Sequence, residues 1–175
     1  MADQLIPLIP PEDIAQTIQR LAHDIDRDYA NCNLVVIGVL KGSFVFLADL
    51  VRAIQTPIQA IEFMRFSSYG SATSSSGTAN LLMGIGAEQV ANQHILLVED
   101  IVDTGITTSS AIEQLHQFPI ASLKLCALLD KPTRRQVEIP IDYLGFTVPG
   151  RFVVGYGIDF DEKYRQLPAI YTVQD

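Results

Sequence analysis

The sequence predicts an α/β fold, a mainly parallel central sheet flanked by helices. Three observations lead there. Residues 34–39 are a near-continuous apolar run, as expected of a strand buried on both faces of a parallel sheet. Ile14, Ile18, Leu21 and Ile25 recur at helical spacing. Extended and helical patterns then alternate along the chain, the order that builds such a sheet.

Each element has a local reason. Pro11, Glu12 and Asp13 suit a helix start: proline fits the first turn, and acids there complement the dipole. The helix is expected over residues 11–30. Lys41-Gly42-Ser43 breaks the first strand, and Ser43 is placed to cap a helix over 44–54. Residues 58–66 read as the next strand. Residues 67–80, SSYGSATSSSGTAN, lack any apolar face and read as a mobile loop or a loose hairpin. A short strand is expected at 81–85 and a central one at 95–98. A helix follows over 105–117, ended by Pro119. Residues 123–129 form a further strand, 131–135 turn polar, and 143–146 and 152–157 are short strands. No repeat or linker divides the chain, so residues 1–175 are expected to be a single domain.

Bulk composition narrows the function. Hydrophobic residues make up 48% of the 175, which excludes a disordered chain. The net charge of −8 argues against a nucleic-acid partner, which would need a basic face. The longest apolar run is too short to span a bilayer, so no membrane partner is expected. No signal peptide is legible at the N-terminus, and a cytoplasmic location is expected. Cys32 and Cys126 then read as free, buried thiols in a reducing compartment. His23, His94 and His116 have no zinc-ligand spacing.

The chemistry concentrates in residues 95–112, ILLVEDIVDTGITTSSAI. Glu99 and Asp100 fall at the carboxyl end of the 95–98 strand, where α/β sheets bind ligands. Two unit charges about 6 Å apart repel by roughly 3 kcal/mol at an effective dielectric near 20. Glu99, Asp100 and Asp103 together therefore call for a cation or hydrogen-bond donors, and Mg²⁺ or sugar hydroxyls both qualify. Gly105 allows a tight turn, while helix-start N–H groups and the hydroxyls of Thr104, Thr107 and Thr108 make a phosphate cradle. A sugar phosphate needs both halves. A solvated loop with capping residues is the plain alternative. A nucleotide-hydrolase reading requires G-x-x-x-x-G-K-[ST], which is absent. GIGAEQ and GYGIDF do not complete a dinucleotide-binding G-x-G-x-x-G.

VEDIVDTGIT resembles the phosphoribosyl-diphosphate (PRPP) motif of type I phosphoribosyltransferases. Four further segments, VLKGSF (39–44), SSYG (67–70), LLDKPTRR (128–135) and GRFVVGYGIDFDEKYR (150–165), follow in the matching order. Together they resemble the hypoxanthine-guanine phosphoribosyltransferases. The resemblance implies a type I phosphoribosyltransferase fold with a small hood built from terminal segments. It implies transfer of the 5-phosphoribosyl group from PRPP to hypoxanthine or guanine, giving IMP or GMP and pyrophosphate in purine salvage. It also implies Mg²⁺ as cofactor and a homodimer or homotetramer.

The resemblance assigns roles residue by residue. Glu99 and Asp100 match acids that meet the ribose hydroxyls and their Mg²⁺. Asp103 matches the general base facing purine N7. Thr104, Gly105, Thr107 and Thr108 fall on the 5-phosphate loop. Lys131 matches the lysine on the purine 6-oxygen, Phe152 the stacked aromatic, and Val153 a source of backbone contacts to the base edge. Asp159 matches a ligand of a second Mg²⁺. Leu40, Lys41 and Gly42 fall on the pyrophosphate loop, where the family holds a non-proline cis peptide before the lysine. Arg165 matches an arginine reaching pyrophosphate. Ser68 and Tyr69 match the tip of a closing lid over about 67–80. Arg134 and Arg135 read as surface or interface residues, and residues 1–30 match no motif.

A lysine only donates, so Lys131 suits an oxo group and not the amino group of adenine. Two alternatives stay open. One is a regulatory PRPP-sensing, nucleic-acid-binding protein, which this acidic chain does not favour. The other is a transferase preferring xanthine and guanine.

Overall fold

The computed structural model describes residues 4–67 and 79–174. Strand β1 (Gln4–Ile9) leads into helix α1 (Pro11–Asp28), then β2 (Leu34–Leu40), α2 (Phe44–Ala53), β3 (Ile58–Phe66) and β4 (Leu81–Met83). A short α3 (Ala87–Val90) precedes β5 (His94–Val102), α4 (Ile106–Leu115) and β6 (Ser122–Asp130). A 3₁₀ turn (Pro132–Arg134), β7 (Tyr143–Thr147), β8 (Val153–Val154) and β9 (Ile170–Gln174) complete the described chain.

Six strands form the main sheet in the order β4-β3-β2-β5-β6-β7. β2, β3, β5, β6 and β7 run parallel, and β4 joins β3 antiparallel. The near-continuous apolar strands are explained by cover on both faces. On one face Val36, Leu96, Val98 and Leu128 meet α1 through Ile14, Ile18, Leu21 and Ile25, and α2 through Phe46, Leu47 and Leu50. On the other, Ile37, Ile95, Leu97 and Ala127 pack against Ala111 and Leu115 of α4. The expected helical spacing in α1 thus buries four aliphatic side chains, each worth about 1.5–3 kcal/mol when fully buried.

A second, three-stranded antiparallel sheet, β1-β9-β8, forms the hood from the two ends of the chain. Residue patterning did not anticipate β1. Pro7 interrupts its run and Pro10 follows its end, and an edge strand tolerates the missing donor. The strand expected over 152–157 is cut to Val153–Val154, because Gly155, Tyr156 and Gly157 all take positive φ. Ser43 does not cap α2. It sits at the helix start in helical conformation, and its hydroxyl instead donates to the Val39 carbonyl at 2.7 Å. Strand β5 runs four residues past the expected end, so Glu99 and Asp100 lie within it. Cys126 is buried and Cys32 half-buried, both as free thiols. Among the described residues no helix is long and apolar enough to cross a membrane.

Candidate active site

The sheet order reverses between β2 and β5: from β2 the chain builds outward through β3 and β4, and from β5 it builds the other way through β6 and β7. Such a switch point leaves a crevice at the carboxyl ends of its two strands. Here β2 stays paired with β5 only as far as Gly38–Val98, while β5 continues along β6 to Val102. The diverging ends open a cleft of about 270 Å³. It gathers Lys41, Gly42, Glu99, Asp100, Asp103, Thr104, Gly105, Thr107, Thr108, Asp159 and Arg165. Eleven of the residues expected from the sequence therefore converge in one place.

Glu99 and Asp100 are only 4% and 9% exposed. Successive side chains leave a strand on opposite faces. Glu99 turns toward α4, where the Thr108 hydroxyl donates to it at 3.1 Å. Asp100 turns toward the β2 side, where its carboxylate lies against Gly42, and any Cβ at Gly42 would overlap it. Burial, then the Asp100 charge, hold Glu99 well above the usual carboxylate range, against the Thr108 hydrogen bond. Burial pushes Asp100 up to about 6, with backbone N–H groups and Arg165 opposing and Asp159 adding to the rise. Two buried carboxylates that resist ionisation supply an all-oxygen donor set suited to a hard cation. Among the described residues no three such side chains close around an ion. Mg²⁺ is commonly held by one or two carboxylates, with substrate oxygens and water completing its shell, so the set fits it.

At the next turn Gly105 has φ +85°, and a Cβ there would strike the Val137 carbonyl. This left-handed residue starts α4, whose first N–H groups have no partners within the helix. Thr104, Thr107 and Thr108 flank that end, with the Thr108 hydroxyl engaged by Glu99.

Asp103 is flanked by cations: Arg134 Nε lies 3.1 Å and Lys131 Nζ 3.9 Å from its carboxylate. Its Oδ1 is nevertheless buried without a properly directed hydrogen bond. Lys131, at the end of β6, is 3% exposed, and burial lowers its ammonium from the usual range. The Phe152 ring is 53% exposed and packs edge-on against Phe160 with centroids 5.7 Å apart. Lys131 Nζ and the Arg134 guanidinium lie 5.9 and 5.8 Å from the Phe152 centroid. Val153 beside it is buried in β8. Lys131, Phe152 and Val153 thus stand at the Asp103 rim and do not line the cleft.

On the opposite wall the Leu40–Lys41 peptide is cis. Lys41 Nζ donates to both oxygens of Glu162, at 2.7 and 2.8 Å. Arg165 pairs with Asp159 at 2.9 Å and donates to the Gly157 carbonyl at 2.9 Å. Ser68 and Tyr69 lie outside the described residues. Ser67, Asp103 and Arg165 each carry a buried side-chain polar atom without a hydrogen-bond partner, and all three line this cleft. Unsatisfied buried groups cost stability and mark sites built for a ligand.

A model of the phosphoribosyl transferase domain matches residues 11–161. The chain belongs to the phosphoribosyltransferase family. It is 41% identical to the hypoxanthine-guanine phosphoribosyltransferase of Streptococcus pneumoniae over 168 residues, covering 96% of this chain and 92% of that one. It is 41% identical to the hypoxanthine phosphoribosyltransferase of Escherichia coli, covering 95% and 93%. A crystal structure of a Bacillus anthracis hypoxanthine-guanine phosphoribosyltransferase superposes with a TM-score of 0.89 at 43% identity, covering 96% of this chain and 98% of that one.

Three residues of this phosphoribosyltransferase escaped the sequence reading. Arg134 and Arg135 border the cleft at Asp103. Arg134 contacts Asp103 and Phe152. Arg135, its side chain 8% exposed, donates to the Asp103 and Val102 carbonyls at 3.2 and 3.1 Å and pairs with Asp130. Glu162 engages Lys41. A larger groove of about 780 Å³ lies between α1, α2 and residues 165–168. It shares only Arg165 with the cleft and contains none of the buried acids, so its size does not make it the reaction site.

Proposed function

We propose that this phosphoribosyltransferase acts in purine salvage, transferring the 5-phosphoribosyl group of PRPP to hypoxanthine or guanine and releasing pyrophosphate with IMP or GMP. The observation that carries this reading is the convergence of a sugar-phosphate turn with Asp103, Lys131 and the exposed ring of Phe152.

Thr104, Gly105, Thr107 and Thr108 take the 5-phosphate at the α4 start, and Glu99 and Asp100 meet the ribose hydroxyls. Phe152 stacks on the purine, Lys131 donates to its 6-oxygen, and Val153 offers backbone groups to its edge. Asp103 accepts the proton at purine N7, a role worth on the order of 10²–10⁴-fold in rate. Lys41, Gly42 and Arg165 receive the departing pyrophosphate. Glu99 and Asp100 would hold one Mg²⁺ and Asp159 a second, and the metal when bound neutralises diphosphate charge. Ser68 and Tyr69 belong to a lid that excludes water from the reacting carbon. The protein works in the cytoplasm as a homodimer or homotetramer.

The experiment is a comparison of kcat/KM for hypoxanthine, guanine, xanthine and adenine with PRPP and Mg²⁺. A lysine donor aimed at position 6 disfavours adenine by about 10²-fold or more. Equal use of adenine would overturn the assignment of Lys131.

A further inference from the structure

The turn that carries Asp159 closes in an uncommon way. Asp161 and Glu162 are consecutive non-glycine residues with φ +51° and +62°. Such conformations persist only where surrounding contacts over-determine them. The Glu162 N–H donates to Asp159 Oδ2 at 2.8 Å, and Phe160 pairs with Lys163 across the turn. The turn aims the Glu162 carboxylate at Lys41, 121 residues away in sequence, and both carboxylate oxygens take a hydrogen bond from the ammonium. The same carboxylate lies 3.4 Å from Arg165 Nη2.

One anion therefore bridges the two cations assigned above to pyrophosphate. We propose that Glu162 is a displaceable internal counter-ion of that site: it holds Lys41 and Arg165 in the free protein, yields to diphosphate on binding, and competes for Lys41 again as pyrophosphate leaves. The inference rests on the reading of Lys41 and Arg165 as pyrophosphate residues.

Exposure fits such a role. The Lys41 and Glu162 side chains are 43% and 65% exposed, so their pair is solvated and exchanges easily, whereas Arg165 and Asp159 are 19% and 30% exposed. Arg165 is held in place through the separation, because Asp159 and the Gly157 carbonyl keep it. Its Nε remains buried and unpartnered, a donor still open to an incoming oxygen.

The test is calorimetric binding of inorganic pyrophosphate, with excess Mg²⁺ and low salt, to the full chain and three variants. Glu162→Gln keeps the backbone hydrogen bond and removes the competing charge. It should tighten binding about two- to five-fold, the scale of an exposed ion pair, and the gain should shrink with added salt. Asp161→Asn removes an equal charge one residue away and should tighten it distinctly less. Equal gains from both variants would reduce the effect to general charge and overturn the proposal. Unchanged or weaker binding in Glu162→Gln, with Lys41→Ala still losing affinity, would overturn it and leave the pyrophosphate reading intact. Undiminished binding in Lys41→Ala would remove the pyrophosphate reading and the proposal together.

Discussion

Glu99 and Asp100 are neighbours in the chain, but alternation along β5 sends one toward α4 and the other toward Gly42. What looks in sequence like crowded repulsion is divided between two walls of one cleft, and both acids meet it by resisting ionisation. A ligand that brings cationic charge lowers that resistance. Binding of PRPP with Mg²⁺ should therefore release protons, more at pH 6 than at pH 8. Calorimetry in buffers of different ionisation enthalpy measures this, and proton uptake would contradict it. Asp103 poses a different question, since Arg134 and Lys131 already flank it. Asp103→Asn should lower kcat by about 10²–10⁴-fold while PRPP affinity changes little. Equal losses in both would place Asp103 in substrate binding and not in proton transfer.

At the scale of elements, the β5–α4 turn was legible because its chemistry is local: three acids, a glycine and three threonines fall within ten residues. Gly105 holds that turn in a left-handed conformation with Val137 against it. Gly105→Ala should destabilise the fold by about 1–3 kcal/mol, seen as a lower urea midpoint, together with weaker PRPP binding. Unchanged stability would mean the turn relaxes freely. Arg135 shows where local reading stops. In sequence it is one more charge in a polar turn, yet packing of the 3₁₀ turn across the end of β5 buries it under Asp103. Arg134 and Glu162 were hidden for the same reason, as their partners lie 31 and 121 residues away. β1 was hidden by its own Pro7 and by Pro10 just beyond it, and what organises it is β9 at the other end of the chain.

For the whole molecule, the switch point between β2 and β5 fixes where the acids, the phosphate turn and the cis-peptide loop meet. Apolar patterning alone established the parallel sheet. The hood required the family resemblance, because short strands from separated segments carry little periodicity. A stability consequence follows from placing acids at a buried switch point. Asp100 is raised from 3.8 to about 6 in the folded chain, so between those values the folded state binds a proton that the unfolded state has lost. Its contribution to stability is present at the low end of that window and disappears as pH rises through about 6, a change on the order of 3 kcal/mol. Urea unfolding at pH 5 and pH 7 should show the decline, to which Glu99, also held up by burial, adds, and Asp100→Asn should reduce it. A decline of the same size in the variant would assign it to other groups.

In the proposed reaction one cleft joins PRPP to a 6-oxopurine. Its most direct measurement is product formation by the purified chain supplied with PRPP, Mg²⁺ and hypoxanthine or guanine. The expected result is nucleoside monophosphate and pyrophosphate in equal amounts, dependent on both PRPP and Mg²⁺. No nucleotide from either base under those conditions would contradict it.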